Sequence, residues 1–448
     1  MQVVRPRTRG ELWPMVALAV PVVIAELGWM MMGVVDVLMV GRLGPEAIGG
    51  VSIGRSIWVF LAIGGIGVLL SLDTFVSQSL GRGRTDEALK YLAQGIWLSL
   101  FLALPAMVLL QGVAGRMDLL GIEQSVIDQG HPYLKVCSLS LLPMLLYTTF
   151  RRYLQAMERA FPVVLALILA NVVNVLFNWV LVFGNWGFPR LGTTGAGWAT
   201  TASMTFLALS LAAVILLSRR GLREVSWRDG WWHLNLKRIG VVLRLGLPAS
   251  GQLLLEVGVI TAVTILAGQF AVEALAAHQI ALTVASVTYM VPLGISAAAA
   301  VRVGYAIGQG DPARAKRAGW MAIGLAAVIA TIMAAIVGII PHFLLGLFTQ
   351  DSSVIRRGVG LLYLAALFQL FDGVQVTAAG ALRGAGYTLG PMLWILLGWW
   401  VLGLPLGAFL AFRSGMGVHG LWAGLTAALV FMGVVLLGSW NRALTASR

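Results

Sequence analysis

Apolar runs of about 20 residues or more, each closed by a short polar segment, recur from one end of this 448-residue chain to the other. A helix of ~20 apolar residues spans the ~30 Å hydrocarbon layer of a bilayer. Hydrophobic residues make up 59% of the chain and charged residues only 11%, and the mean hydropathy is +0.89. That composition excludes soluble globular and fibrous proteins. A transmembrane barrel would instead show alternating segments of ~10 residues, which are absent. The sequence therefore predicts an all-α integral membrane protein with twelve spans, at 13–40, 50–80, 91–114, 131–157, 162–184, 194–217, 240–268, 275–306, 317–345, 357–383, 389–412 and 418–440. The first apolar run follows Arg9 and continues to Val40 without a small-residue cleavage site, so it reads as a spanning helix and not as a secretory signal.

The net charge of +13 raises the question of nucleic acid, but the basic residues sit at the ends of apolar runs and form no aromatic-interleaved patch. No nucleic-acid partner is expected. With the N-terminus cytoplasmic, 23 of the 31 Lys and Arg residues fall on that side, from Arg5, Arg7 and Arg9 through Arg151, Arg152, Arg302 and Arg383 to Arg448. This places both termini in the cytoplasm; Arg356 and Arg357 run against the trend. Cys137 is the single cysteine, which excludes an internal disulfide and a thiolate metal cluster.

Sliding the chain against itself by 227 residues aligns Pro21 with Pro248, Gly41 with Gly268, Glu46-Ala47 with Glu273-Ala274, Gly67 with Gly294, and Gly81-x-Gly83 with Gly308-x-Gly310. This is an internal duplication. Six helices per copy is an even number, so both copies enter the membrane from the same side, and parallel repeats of this kind are a transporter architecture. The expected division is an N-lobe at 1–218, a cytoplasmic linker at 219–239 and a C-lobe at 240–448. The linker is basic and carries Trp227, Trp231 and Trp232, expected at the membrane interface. The two Gly-x-Gly stretches lack a Walker pattern and read as turns, each followed by an N-cap residue, with Pro312 at the first helical position in the second.

Five acidic residues fall inside the spans: Glu26, Asp36, Asp73, Glu256 and Asp372. An ionised carboxylate facing lipid at mid-membrane costs roughly 2.5–3.5 kcal/mol on insertion scales, so all five should face protein or a watery cavity. A carboxylate held there takes up either a proton or another cation and releases it as its surroundings alternate, which is what a cation-coupled carrier needs. Asn171, Asn174 and Asn178 share one stripe of the fifth helix. With Asp36 they offer hard oxygen ligands for a small alkali cation, or partners that hold a proton on the aspartate; polar glue between helices is the plainer reading, especially for Asn171. Glu256 and Asp372 are the second copy's own acids, with an interhelical hydrogen bond as the alternative role. Asp73 is placed to pair with a nearby arginine. At the 227 offset Glu256 meets Trp29 and Asp36 meets Val263, so the scaffold repeats but the charges do not. Pro21 and Pro248 lie inside helices, where each removes a backbone hydrogen bond and permits a bend, either a fixed kink or a gate.

Other classes find little support. The histidines, His131, His233, His278, His342 and His419, show no paired metal-ligand spacing, and no nucleophile–base arrangement stands out, so an integral membrane enzyme is disfavoured. A channel would call for a symmetric ring of charge. A flippase for lipid-linked or amphipathic anionic compounds would share alternating lobes, but should present basic groups in its cavity.

Read together, Leu18-Ala-Val-Pro21, Leu245-Gly-Leu-Pro248, Asp36-Val-Leu-Met-Val-Gly41, the Gly-x-Gly turns, Asn174-x-x-x-Asn178, Gly195-Ala-Gly-Trp-Ala-Thr200 and Gly380-Ala-Leu-Arg-Gly-Ala-Gly386 resemble the multidrug and toxic compound extrusion (MATE) family, in particular its NorM-like members. The resemblance covers nearly the whole chain. It implies a monomeric antiporter of the bacterial inner membrane that exchanges Na⁺ or H⁺ for small organic, often cationic compounds and needs no cofactor. It also implies an N-lobe cation site at Asp36, Asn174, Asn178 and Thr200 and a C-lobe site at Glu256 and Asp372, either of which would hold Na⁺ if that is the coupling ion. Phe368 departs from the pattern, where a tyrosine is expected: the ring remains for a cation–π contact but the hydroxyl ligand is lost.

Overall fold

The computed structural model describes residues 12–121, 123–217 and 232–443. Arg5, Arg7, Arg9, Arg219, Arg220, Arg223, Arg228, Arg448, Trp227, Trp231 and most of the expected linker lie outside the described residues. Among the described residues every regular element is helical, and twelve helices are long and apolar enough to cross a membrane. They are α1 Leu12–Leu43, α2 Pro45–Gly81, α3 Thr85–Ala114, α4 Gln124–Ala156, α5 Phe161–Phe183, α6 Thr193–Leu217, α7 Leu236–Ala267, α8 Val272–Gly308, α9 Pro312–Ile339, α10 Ser352–Gly384, α11 Leu389–Arg413 and α12 Val418–Ala443. All twelve expected spans are present. Several helices begin earlier than the hydropathy reading placed them, because a helix continues through its polar first turn while an apolar window does not. The run placed at 317–345 ends at Ile339 and is followed by a separate helix, Pro341–Gly346.

The duplication is visible in the helix ends. The α-helical part of α1 stops at Val40 and α7 at Ala267; α2 and α8 start at Pro45 and Val272 and stop at Gly81 and Gly308; α3 and α9 start at Thr85 and Pro312, all at the same 227-residue offset. The turns between them match too, with Gly83 at φ +75° and Gly310 at φ +74°, a left-handed conformation that glycine adopts without strain. Asp311 caps α9 by accepting from the Arg314 amide at 2.8 Å. After the first Gly-x-Gly turn the expected side-chain cap is missing: Thr85 is the first residue of α3, and Arg84 before it makes no side-chain cap.

By packing, the described chain falls into two compact units: Ile24–Ser250, and the described residues of Met1–Val23 with those of Gly251–Arg448. This differs from the sequence boundaries at 218 and 240. The division falls inside α1, two residues after Pro21, and inside α7, two residues after Pro248, so each of these helices runs from one unit into the other. The repeat therefore defines what was copied, and the packing exchanges the first part of α1 for the first part of α7.

Within each unit the exchanged segment sits against a glycine. A Cβ on Gly67 would lie 2.4 Å from Ser250 Cα, and one on Gly294 would lie 2.4 Å from Val23 Cγ2 and 2.9 Å from its backbone nitrogen. These are equivalent positions of the two copies. Lipid supplies no hydrophobic drive for helices to associate, so small residues that admit close backbone approach hold such bundles together. Gly50 against Gly130 does this between α2 and α4, and Gly384 against Ala300 between α8 and α10.

Candidate functional site

In the first unit α1, α5 and α6 bring Asp36, Asn174, Asn178 and Thr200 together. Asn174 Nδ2 and Asn178 Nδ2 donate to Asp36 Oδ1 at 3.0 and 2.9 Å, and Thr200 Oγ1 donates to Oδ2 at 3.0 Å. Asp36 is 1% exposed and both asparagines are fully buried. The asparagines lie four residues apart on one helix face, which is why both amides reach a single oxygen. The expected amide oxygens are not the atoms turned to the carboxylate: the Nδ2 groups are, and both Oδ1 atoms are buried without a hydrogen-bond partner. Asn171 takes the glue role, donating to Gly28 O of α1 at 3.0 Å.

The sequence reading missed Arg55 of α2. Its Nη1 lies 3.7 Å from Asp36 Oδ2. No local spacing ties position 55 to position 36.

Elsewhere in this unit the remaining acids are already spoken for. Arg151 Nη2 pairs with Glu26 Oε1, and Arg152 Nη1 lies 3.3 Å from Asp73 Oδ2, with every side chain buried. The expected arginine partner of Asp73 is thus Arg152. Arg151, Arg152, Arg302 and Arg383, counted from sequence as charges that set topology, are buried inside the units instead.

In the second unit α7 and α10 supply the acids. Glu256 Oε1 accepts from Gln252 Nε2 at 3.2 Å and from Gln375 Nε2 at 3.3 Å. Asp372, one turn before Gln375 on α10, interacts electrostatically with Glu256. Neither acid forms an ion pair among the described residues; Arg383 is the basic residue whose field reaches Glu256. Gln369, Asp372 and Gln375 recur every three residues on α10, and Gln369 is 5% exposed with neither side-chain polar atom hydrogen-bonded. The three glutamines also escaped the sequence reading, although Gln252 four residues before Glu256 and Gln375 three after Asp372 were legible as helix-face neighbours.

Phe368 sits in an aromatic cluster, its ring centroid 5.5 Å from that of Trp422 and 6.1 Å from that of Trp399. Trp422 Nε1 in turn donates to His278 Nδ1 at 3.0 Å, and Thr264 Oγ1 lies 3.1 Å from His278 Nε2. The buried histidine is thus a satisfied core residue. Pro21 and Pro248 lie two residues before the division between the packing units, within the helices that carry Asp36 and Glu256.

Twelve spanning helices in duplicated halves, with a buried acid-centred polar site in each, define a multi-pass membrane transporter scaffold of the parallel-repeat kind. The chain belongs to the MATE family, whose MatE description matches residues 21–180 and again 248–409, the two matches opening on Pro21 and Pro248. It is 36% identical over 441 residues to a Mesorhizobium japonicum protein named "Probable multidrug resistance protein NorM", covering 97% of this chain and 94% of that one. A Rhodopseudomonas palustris protein of the same name is 34% identical over 440 residues, covering 97% and 92%. Among solved structures, the eukaryotic MATE transporter AtDTX14 shares the fold with a TM-score of 0.87 at 22% identity, covering 97% of this chain and 98% of that chain. A MATE protein in the bent conformation does so with a TM-score of 0.88 at 18% identity, covering 97% and 95%.

Proposed function

We propose that this chain is a secondary multidrug exporter that couples inward movement of Na⁺ or H⁺ to outward movement of small organic, often cationic compounds. The observation that carries the reading is the placement of one buried carboxylate cluster in each half of a duplicated scaffold, Asp36 with Asn174, Asn178 and Thr200 in one and Glu256 with Asp372 in the other. Carboxylates at this depth are stable only with a positive partner, a proton or hydrogen-bond donors, so each is a place where a cation exchanges. The names borne by the relatives at 34–36% identity support multidrug export as the role.

In this reading both termini are cytoplasmic and the monomer is the working unit. Cation arrival at the acids from outside and its release inward alternate with substrate leaving, and Pro21 and Pro248, each removing a backbone hydrogen bond inside its helix, permit the helices to bend. Phe368 offers a ring, not a hydroxyl. Coupling is tested by reconstituting the protein in liposomes and imposing a Na⁺ or a pH gradient. A fluorescent organic cation such as ethidium should move against its own gradient, and Asp36→Asn or Glu256→Gln should reduce that movement. Full activity in both variants would overturn the assignment of the sites.

A further inference from the structure

Arg55 does more than approach Asp36. A Cβ built on Gly33 would stand 1.9 Å from Arg55 Nη2, 2.3 Å from Cζ and 2.5 Å from Nη1, so the guanidinium occupies the volume that any other residue at position 33 would fill. Gly33 precedes Asp36 by three residues on α1 and shares its face. The glycine is therefore a slot through which the arginine of α2 lies against the α1 backbone and reaches the carboxylate. Arg55 keeps 31% of its side chain exposed, whereas Asp36 is 1% exposed and accepts from three donors.

The charge count follows from this geometry. Arg55 and Asp36 cancel, and the other side chains against the carboxylate, Asn174, Asn178 and Thr200, are neutral. Tyr133 and Cys137 of α4 are titratable groups within electrostatic reach of the pair. A mobile cation added beside Asp36 with Arg55 in place would bring two positive charges together in a site with little water, and their repulsion grows as the dielectric falls. Cation and guanidinium therefore compete for one carboxylate.

We propose that Arg55 is the resident counter-ion of Asp36: it neutralises the N-lobe site when no mobile cation is bound, and a mobile cation binds there only as Arg55 leaves the Gly33 slot. This rests on the antiport reading above and adds a residue that sets the cation requirement.

Two measurements on the full-length protein separate the claims. In detergent, thermal unfolding of Asp36→Asn, Arg55→Gln and the double variant forms a cycle that does not depend on transport. The double variant should lose less than the sum of the singles, and an additive result would overturn the pairing. In proteoliposomes, Arg55→Gln should lower the half-saturating concentration of whichever cation drives ethidium movement by about fivefold, since about 1 kcal/mol of competing pairing converts to that ratio. Gly33→Ala, which fills the slot without touching a charge, should do the same, while Arg55→Lys stays within about twofold of wild type. An unchanged cation requirement in both Arg55→Gln and Gly33→Ala overturns the competition. Wild-type transport indifferent to both gradients would refute the antiport reading and the competition with it, whereas an additive cycle refutes only the Arg55 pairing.

Discussion

The two halves of this transporter solve the problem of a buried acid in opposite ways. The N-terminal half answers acids with arginines: Arg55 for Asp36, Arg151 for Glu26 and Arg152 for Asp73. In the C-terminal half, Glu256 meets two glutamine amides, and no lysine or arginine pairs with it or with Asp372 among the described residues. At the repeat offset, Gly33, Asp36 and Arg55 become Ile260, Val263 and Leu282, so the slot, the acid and the counter-ion are absent from the second copy together. Duplication preserved helix ends, turn glycines and the Gly67 and Gly294 contacts, because these fix how helices pack. The polar chemistry was free to diverge, and it left one acid beside an arginine and the other among glutamine amides.

This contrast is open to being broken. The largest effect is on transport: Asp36→Asn and Glu256→Gln should each cost about tenfold or more in ion-driven uptake by proteoliposomes. If one variant is indifferent, the two-site account reduces to one. Next comes stability. Arg151→Met strands Glu26 inside the first unit and should cost about 3–5 kcal/mol in unfolding experiments, whereas Glu256→Gln removes an acid with no ionic partner and should cost about 1 kcal/mol or less. Comparable losses in the two would erase the contrast. Gly67→Ala and Gly294→Ala crowd equivalent contacts and should each cost about 1–3 kcal/mol. Gln375→Leu removes one donor from Glu256 and should shift the cation requirement by about two- to threefold, read in the same transport assay.

The smallest effect concerns helix starts. Asp351 caps α10, its Oδ1 accepting from the Ser353 amide and hydroxyl at 2.8 and 2.7 Å, and these bonds hold its carboxyl below its usual range. Its contribution is complete above the ordinary carboxylate pKa and fades as pH falls through the lowered one. Glu123, the residue before α4, makes no side-chain cap. Asp351→Ala should therefore lower the unfolding midpoint slightly at neutral pH and not at strongly acidic pH, while Glu123→Ala leaves it unchanged at both.

What could be read from sequence follows from which interactions are local. The twelve spans, the duplication and the Asn174–Asn178 stripe depend on composition or on spacings within one helix, and Thr200 came only through family resemblance. Arg55 depends on α1 and α2 lying side by side, and Gly33 has meaning only once a neighbouring side chain is known to fill the space where its Cβ would be. Arg151 and Arg152 stand near a helix end, where positive residues usually face the cytoplasm, and only packing shows that they turn inward to Glu26 and Asp73. The exchange of helix segments after Pro21 and Pro248 was likewise invisible, since a repeat in sequence records copying and not contact.

The central claim, that one scaffold carries two unlike acid sites, is tested most directly by the half-saturating concentration of the driving cation, measured side by side in proteoliposomes of wild type, Arg55→Gln and Glu256→Gln. The account predicts opposite shifts: a lower requirement when the N-terminal site loses its resident counter-ion, and a higher one when the C-terminal site loses its acid. Shifts in the same direction, or none in either variant, would contradict it.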